Sequence, residues 1–355
     1  MFKEKLEQWT RVLRNDIGID LGTANMLVYV RGKGVILNEP SVVAVNQKTG
    51  QVVAVGMEAK NMLGRTPPHI VAVRPIVDGV ISDFEVTEEM IHYLLNKAQA
   101  ISKKILGPRV VVGVPSGITN VETRAVRDAT KNAGASEVHI VEEPMAAAIG
   151  MHLPIGEPMG NMVIDIGGGT ADIAVISLGG VVSSKNIRIA GDKLNNDITS
   201  YIRSEFKIVI GEKTAENIKI STCSLLAGEN PLETQARGRD LITGLPREVM
   251  VTDSDIREAV SHSVERLIEA VKEVLEITPP EILSDIMHRG IYLAGGGAMI
   301  KGFAEILAEE VKMPIYMADD PLTCVVRGTG IILEKLDKFK DILIADENDI
   351  SNKTY

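Results

Sequence analysis

Two stretches of the chain set an aspartate, a glycine turn and a threonine between runs of β-branched residues. One is Ile17 to Val35, IGIDLGTANMLVYVRGKGV, and the other is Asn161 to Val182, NMVIDIGGGTADIAVISLGGVV. The chemistry that suits this combination is phosphate binding. Glycine lets backbone come close to a ligand, and the N–H groups of a tight turn form a concavity for phosphate oxygens. A carboxylate just before the turn can hold Mg²⁺ through water, since that ion keeps most of its hydration shell and shares substrate phosphates. Asp20 and Asp165 are the two metal candidates, and Thr170 offers a hydroxyl beside a terminal phosphate. Gly167, Gly168 and Gly169 in succession cost backbone entropy that a purely structural hairpin has little reason to accept. The first copy is less specific, because Asp20 before Gly22 could equally start an ordinary hairpin turn. The aspartates lie 145 residues apart, which points to a duplicated αβ domain rather than a short-period solenoid. Facing one another, the two turns would make a symmetric pair of clamps.

The surrounding elements must position these groups. Arg109 to Val114 is a nearly continuous β-branched run, as expected of a strand covered on both faces. Asn120 is expected to cap a helix that Gly134 ends, and Glu137 to Val141 is the next strand. It runs into Glu142-Glu143-Pro144, where Pro144 suits the first turn of a helix. Glu143 therefore sits at a strand's carboxyl end, where open α/β sheets bind ligands, although acids also favour helix N-termini for the dipole alone. Ile291 to Ala294 reads as a buried strand, and Gly295-Gly296-Gly297 as a turn feeding a helix Phe303 to Lys312. A nucleoside could lie flat on that turn; a tight strand-to-helix connection explains it equally well. Thr87 is expected to cap a helix reaching Ala100, and Asp255 to Glu276 is a long amphipathic helix. Residues 31–77 read as a small strand-rich insertion. Residues 191–257 read as a second insertion, with helices Asp197 to Phe206 and Lys213 to Ile220 and a polar, Gly-punctuated stretch.

Composition narrows the class. The 355 residues are 45% hydrophobic, enough to bury more than one core, and the net charge of -10 argues against the broad basic face that nonspecific nucleic-acid binding needs. Nucleic acid is not expected as a partner. Cys223 and Cys324 lie far apart, without the spacing of a disulfide framework or a zinc site. No apolar run is long enough to span a bilayer and no signal peptide is evident, so a cytoplasmic protein is expected. Residues 1–14 place Phe2, Leu6, Trp9 and Leu13 on one helical stripe in a locally basic segment. Such a helix suits a lipid headgroup boundary, a reading preferred over docking on the body of the protein. So short a helix is marginal alone, so membrane adhesion would have to add up over many copies. Ile105 and Leu106, on a loop that Pro108 is expected to turn, could share that contact.

Taken together, DLGT at 20–23, EEPMAAAIG at 142–150, DIGGGT at 165–170 and LAGGGAMIKG at 293–302 resemble the phosphate, connector and adenosine motifs of the actin, sugar-kinase and Hsp70 ATPase superfamily. With NEPSVVAV, RPIVDGVISD, VGVPSGIT, IRIAGD, GEKTAENIK and GLPRE, residues 16–338 are similar to the MreB family of bacterial actins. The resemblance implies an α/β actin-like ATPase fold of two duplicated αβ domains, each with an inserted subdomain, and ATP or ADP with Mg²⁺ in the central cleft. Subdomain IA would comprise 16–44, 78–157 and 330–348, IB 45–77, IIA 158–193 and 258–329, and IIB 194–257, flanked by an N-terminal amphipathic helix over 1–15 and a tail over 349–355. By motif, Asp20, Gly22, Thr23, Ala24 and Asn25 form one phosphate loop, and Asp165, Gly167, Gly168, Gly169 and Thr170 the other. Gly191 is a further nucleotide-binding residue; Glu216 and Lys219, with Gly295, Gly296, Gly297 and Ala298, take the nucleoside side of the ligand, and Glu143 aligns the attacking water with Thr170 assisting. The family further implies slow ATP hydrolysis and self-assembly into protofilaments and antiparallel double filaments. It also implies attachment to the inner face of the cytoplasmic membrane and work with cell-wall elongation proteins. Ala171 and Asp172 depart from the family's usual Thr and Glu, and STCSLLAG departs from its glycine-containing stretch after TAExIK. A sugar or acetate-type kinase would share both loops but needs an acceptor pocket with a base, and no segment resembles one. A plasmid-segregating actin is the alternative within the fold.

Overall fold

The computed structural model describes residues 14–102 and 106–345. The chain folds as two compact units. One is built from the described residues up to Pro158, from Ile176–Val181 and from the described residues from Thr323 onward; the other is built from Met159–Val175 and Val182–Leu322.

In the first unit, β1 (Arg14–Leu21), β2 (Asn25–Val30) and β3 (Gly34–Pro40) run as an antiparallel meander. A separate small sheet joins β4 (Val43–Asn46), β5 (Val52–Val55) and β6 (Ile70–Val73) in the order β5-β4-β6, followed by a two-stranded ladder of β7 (Ile76–Val77) and β8 (Val80–Ile81). β9 (Leu106–Val114) and β10 (Glu137–Glu142) then add in parallel to β1, completing the order β10-β9-β1-β2-β3. Alternation sorts the faces. Ile17, Ile19, Val110 and Val112 bury against Met90, Ile91, Leu94 and Leu95 of the helix Phe84–Ser102. Each such side chain contributes about 1.5–3 kcal/mol by leaving water. On the opposite face, a Cβ on Gly18 would overlap Thr329 Oγ1, so the helix Cys324–Glu334 lies directly on the strand.

The second unit repeats the plan. β11 (Asn161–Ile166), β12 (Ala171–Ser177) and β13 (Gly180–Ile187) come first. A three-stranded sheet follows, of β14 (Ile208–Val209), β15 (Glu233–Asp240) and β16 (Pro246–Thr252). β17 (Ile291–Ala294) and β18 (Ile315–Met317) then add in parallel to β11. The resulting order β18-β17-β11-β12-β13 is that of β10-β9-β1-β2-β3, strand for strand. The internal duplication inferred from two short motifs is therefore a duplication of whole sheets.

Several sequence expectations need correction. Arg14 and Asn15 belong to β1 rather than to a leading helix; Phe2, Leu6, Trp9, Leu13 and Ile105 lie outside the described residues. Leu106 and Pro108 are strand, not loop: Leu106 pairs with Arg14, and the Pro108 carbonyl accepts from the Ser136 N–H at 2.8 Å. Thr87 is not a cap. It sits inside a helix that starts at Phe84, and its hydroxyl donates to the carbonyls of Asp83 and Pro75. Thr119, not Asn120, caps the next helix, in a reciprocal capping box with Glu122. The first insertion starts after β3, which extends the main sheet. The polar stretch of the second forms the β15–β16 hairpin, and its first helix begins at Gly191. The Ile344 N–H donates to the Ile140 carbonyl on edge strand β10 at 2.8 Å, and its side chain packs on the first core.

Candidate functional site

In the first unit the candidate residues collect at the carboxyl ends of parallel strands. Asp20 on β1, Gly113 on β9 and Val141 on β10 occupy one row of the register, so Glu142 and Glu143 follow immediately beyond the row. A Cβ on Gly113 would meet Val325 Cγ1 at 2.9 Å, so this glycine makes room for the helix Cys324–Glu334, while Glu143 Cγ lies in ordinary contact range of the same point at 3.7 Å. Glu143 opens the helix Glu143–Gly150, with Pro144 in its first turn. That helix is clamped by small residues: a Cβ on Gly328 would overlap the Ala146 carbonyl, and one on Gly150 would overlap the Cys324 carbonyl. Burial pushes the Asp20 carboxyl up to about 7. The turn after it is tied back by Ser41, whose hydroxyl donates to the Gly22 carbonyl at 2.5 Å and whose N–H donates to the Ala24 carbonyl at 3.0 Å. Thr23 is buried, its hydroxyl accepting from the Gly79 N–H at 3.1 Å, and the Asn25 amide donates to Asn38 Oδ1 at 2.8 Å. Those two side chains brace the loop; Ala24 is exposed.

The second unit shows the same logic with more glycine. Asp165 on β11 is level with Ala294 on β17 and buried. Gly295 has a φ of 79° and no room for a side chain, because a Cβ there would overlap Asp165 Oδ1 and the Ile166 carbonyl. A Cβ on Gly297 would overlap Ile166 as well, while Gly296 is exposed and Ala298 buried. The Gly167 N–H donates to the carbonyl of the buried Thr170 at 2.9 Å, closing the turn. The N–H groups of Gly191 and Asp192, at the start of the helix Gly191–Glu205, donate to the carbonyls of Gly167 at 3.2 Å and Gly168 at 2.8 Å. Lys219 Nζ completes the cluster, donating to the Gly191 carbonyl at 3.0 Å and to Glu216 Oε2 at 2.8 Å. The carbonyls of Gly22 and Ala24 in one loop and of Gly167 and Gly168 in the other are tied back to the protein, which favours N–H as what the turn offers a ligand, the donor that a phosphate oxygen accepts from.

The structure thus gathers Asp20, Gly22, Thr23 and Glu143 in one unit. It gathers Asp165, Gly167, Gly168, Gly191, Glu216, Lys219 and Gly295 in the other. Sequence reasoning passes over Gly113, although a lone glycine in the run RVVVGV signals close approach. It also passes over Ser41, Gly79 and Asn195, whose roles come from distant partners that no local pattern reveals. Among the described residues, no group of three or more His, Cys, Asp or Glu side chains is placed to hold a metal ion.

The family model for "MreB/Mbl protein" matches residues 14–341. The chain belongs to the MreB/Mbl family. It is 49% identical over 323 residues to the cell shape-determining protein Mbl of Bacillus subtilis, covering 91% of this chain and 97% of that one. It is 47% identical over 346 residues to the cell shape-determining protein MreB of Escherichia coli, covering 96% and 100%. The crystal structure of Spiroplasma citri MreB5 bound to ADP superposes with a TM-score of 0.87 at 40% identity, over 92% of this chain and 98% of that one. A MamK double helical filament, at 21% identity and a TM-score of 0.77, shares the fold alone. The actin-like ATPase fold with duplicated αβ domains, expected from the motifs, is therefore the fold of this family member.

Proposed function

We propose that the chain is an ATP-dependent cytoskeletal filament protein that maintains cell shape by organising cell-wall elongation at the inner face of the cytoplasmic membrane. One observation carries the nucleotide part. Two topologically identical sheets each end in an acid followed by a glycine turn whose carbonyls are tied back into the protein. Two structures of the 40% identical MreB5, bound to ADP and to AMPPNP, support it, and the relatives' name as cell shape-determining proteins supports the rest.

Within the second unit, Gly167, Gly168, Gly169 and Gly191 would cradle phosphate, and Glu216, Lys219, Gly295, Gly296, Gly297 and Ala298 would take the nucleoside. Within the first, Gly22, Thr23, Ala24 and Asn25 form the phosphate turn. The residues fit Mg²⁺: Asp20 is a carboxyl raised by burial, which a cation would return to its charged form, and Asp165 is a second buried acid. Asp20 and Asp165 would each offer a carboxylate to Mg²⁺ through water, and the ion would supply positive charge against the phosphates. Glu143 accepts a hydrogen bond from water and aligns it for attack on the terminal phosphate, and Thr170 is the assisting hydroxyl that the family resemblance implies. Positioning of this kind, without a strong base, gives a slow hydrolase. The membrane part draws support from the Arg14–Leu106 register, which sets the first strand residue after 1–13 beside Leu106 on one sheet. The test is phosphate release by Glu143→Ala. It should fall by about 10²-fold with ATP binding retained; unchanged release removes Glu143 from the chemistry.

A further inference from the structure

Asn195 lies one turn beyond Gly191 on the helix Gly191–Glu205 and is 3% exposed. Its Nδ2 donates to Glu216 Oε2 at 2.6 Å, the same oxygen that receives the Lys219 ammonium. The other end of the amide, Oδ1, is buried and has no hydrogen-bond partner among the described residues. Turning the amide over does not cure this, because Oδ1 would then face a carboxylate oxygen, acceptor against acceptor. A half-satisfied buried amide costs stability, and its helix neighbours Leu194 and Ile198 belong to an apolar core where an aliphatic side chain would be at home.

We propose that Asn195 is a positioning residue, retained for its donor, which fixes the Glu216 carboxylate to accept a sugar hydroxyl of the nucleotide. The inference rests on the ATP reading above. Lys219 alone does not suffice, because an ammonium is a compact charge with three rotatable donors and attracts a carboxylate without fixing its plane. A second, directional donor on the same oxygen sets which way the carboxylate faces. A site built to bond a hydroxyl rejects an analogue that lacks it, so the consequence is discrimination between sugars rather than general affinity.

The experiment compares equilibrium binding of Mg·ATP with its 2′-deoxy and 3′-deoxy analogues. It uses the full chain, Asn195→Leu and Asn195→Ala, with thermal unfolding measured without nucleotide. The parent should bind ATP more tightly than at least one analogue. Both variants should lose that preference through a roughly tenfold or greater weakening of ATP, with the disfavoured analogue nearly unchanged. The Leu variant should unfold no lower than the parent. A parent without preference, variants that keep it, or variants that weaken all three nucleotides equally would overturn the role of Asn195 and leave ATP binding standing. A parent that binds none of the three overturns both. Should the Leu variant misfold, the Ala variant decides by the same comparison.

Discussion

Gly295 has positive φ and leaves no room for a Cβ beside the Asp165 carboxylate, so Gly295→Ala should strain the turn and push Asp165 aside. A loss of about 1–3 kcal/mol in unfolding free energy is expected, accompanied by weaker nucleotide binding; denaturant unfolding and ATP titration measure the two. Asp20 yields a prediction with a sign. Its carboxyl titrates at about 7 in the folded chain, above the ordinary aspartate value of 3.8. The folded state therefore holds the proton more tightly, and the group opposes folding increasingly from about pH 4 to pH 7, then by a constant amount. Without nucleotide or metal, Asp20→Asn should melt higher than the parent at pH 8, and the difference should vanish near pH 4. With Mg·ATP present the order at pH 8 should reverse, since the variant no longer offers a carboxylate. At this scale much is legible in the sequence, because acid–glycine–threonine clusters advertise themselves. Asn195, Ser41 and Gly79 are not, because their meaning depends on partners 19 to 56 residues away.

The element that sets Glu143 is the pair of helices Glu143–Gly150 and Cys324–Glu334, which touch through Gly150, Gly328 and Ala146. Gly328→Ala would drive a methyl into the Ala146 carbonyl and force the helices apart. It should cost about 1–3 kcal/mol and reduce phosphate release more than ATP affinity; calorimetry and a phosphate-release assay separate these. Strands are easier to read than helix starts. RVVVGV and NMVIDI carry short apolar runs, VVVGV and MVI, that are buried throughout. Residue type alone makes caps of Thr87 and Asn120, whereas the true boundaries are fixed by Asp83 and Thr119. The hairpin β15–β16 is hidden because its strands, ETQARGRD and PREVMVT, are polar on the exposed face and pair mainly with each other.

For the whole molecule, duplication is the organising fact: one five-stranded plan, used twice, delivers two acid–glycine turns. It accounts for the proposed nucleotide binding but not for the proposed polymerisation or membrane contact, which draw on family membership and on residues 1–13 and 103–105 outside the described structure. Deleting residues 1–13 should leave nucleotide-dependent assembly intact and abolish co-sedimentation with anionic liposomes, since a short amphipathic segment gains its adhesion through many copies in one polymer. If the shortened chain still pellets with liposomes, the anchor lies elsewhere, with Leu106 the next candidate. Sedimentation of the full chain with anionic liposomes and Mg²⁺, in the presence and absence of ATP, tests an ATP-driven membrane filament most directly. Protein should move to the pellet as ordered filaments on lipid when ATP is added; a chain that binds ATP yet stays in the supernatant at every concentration would contradict this.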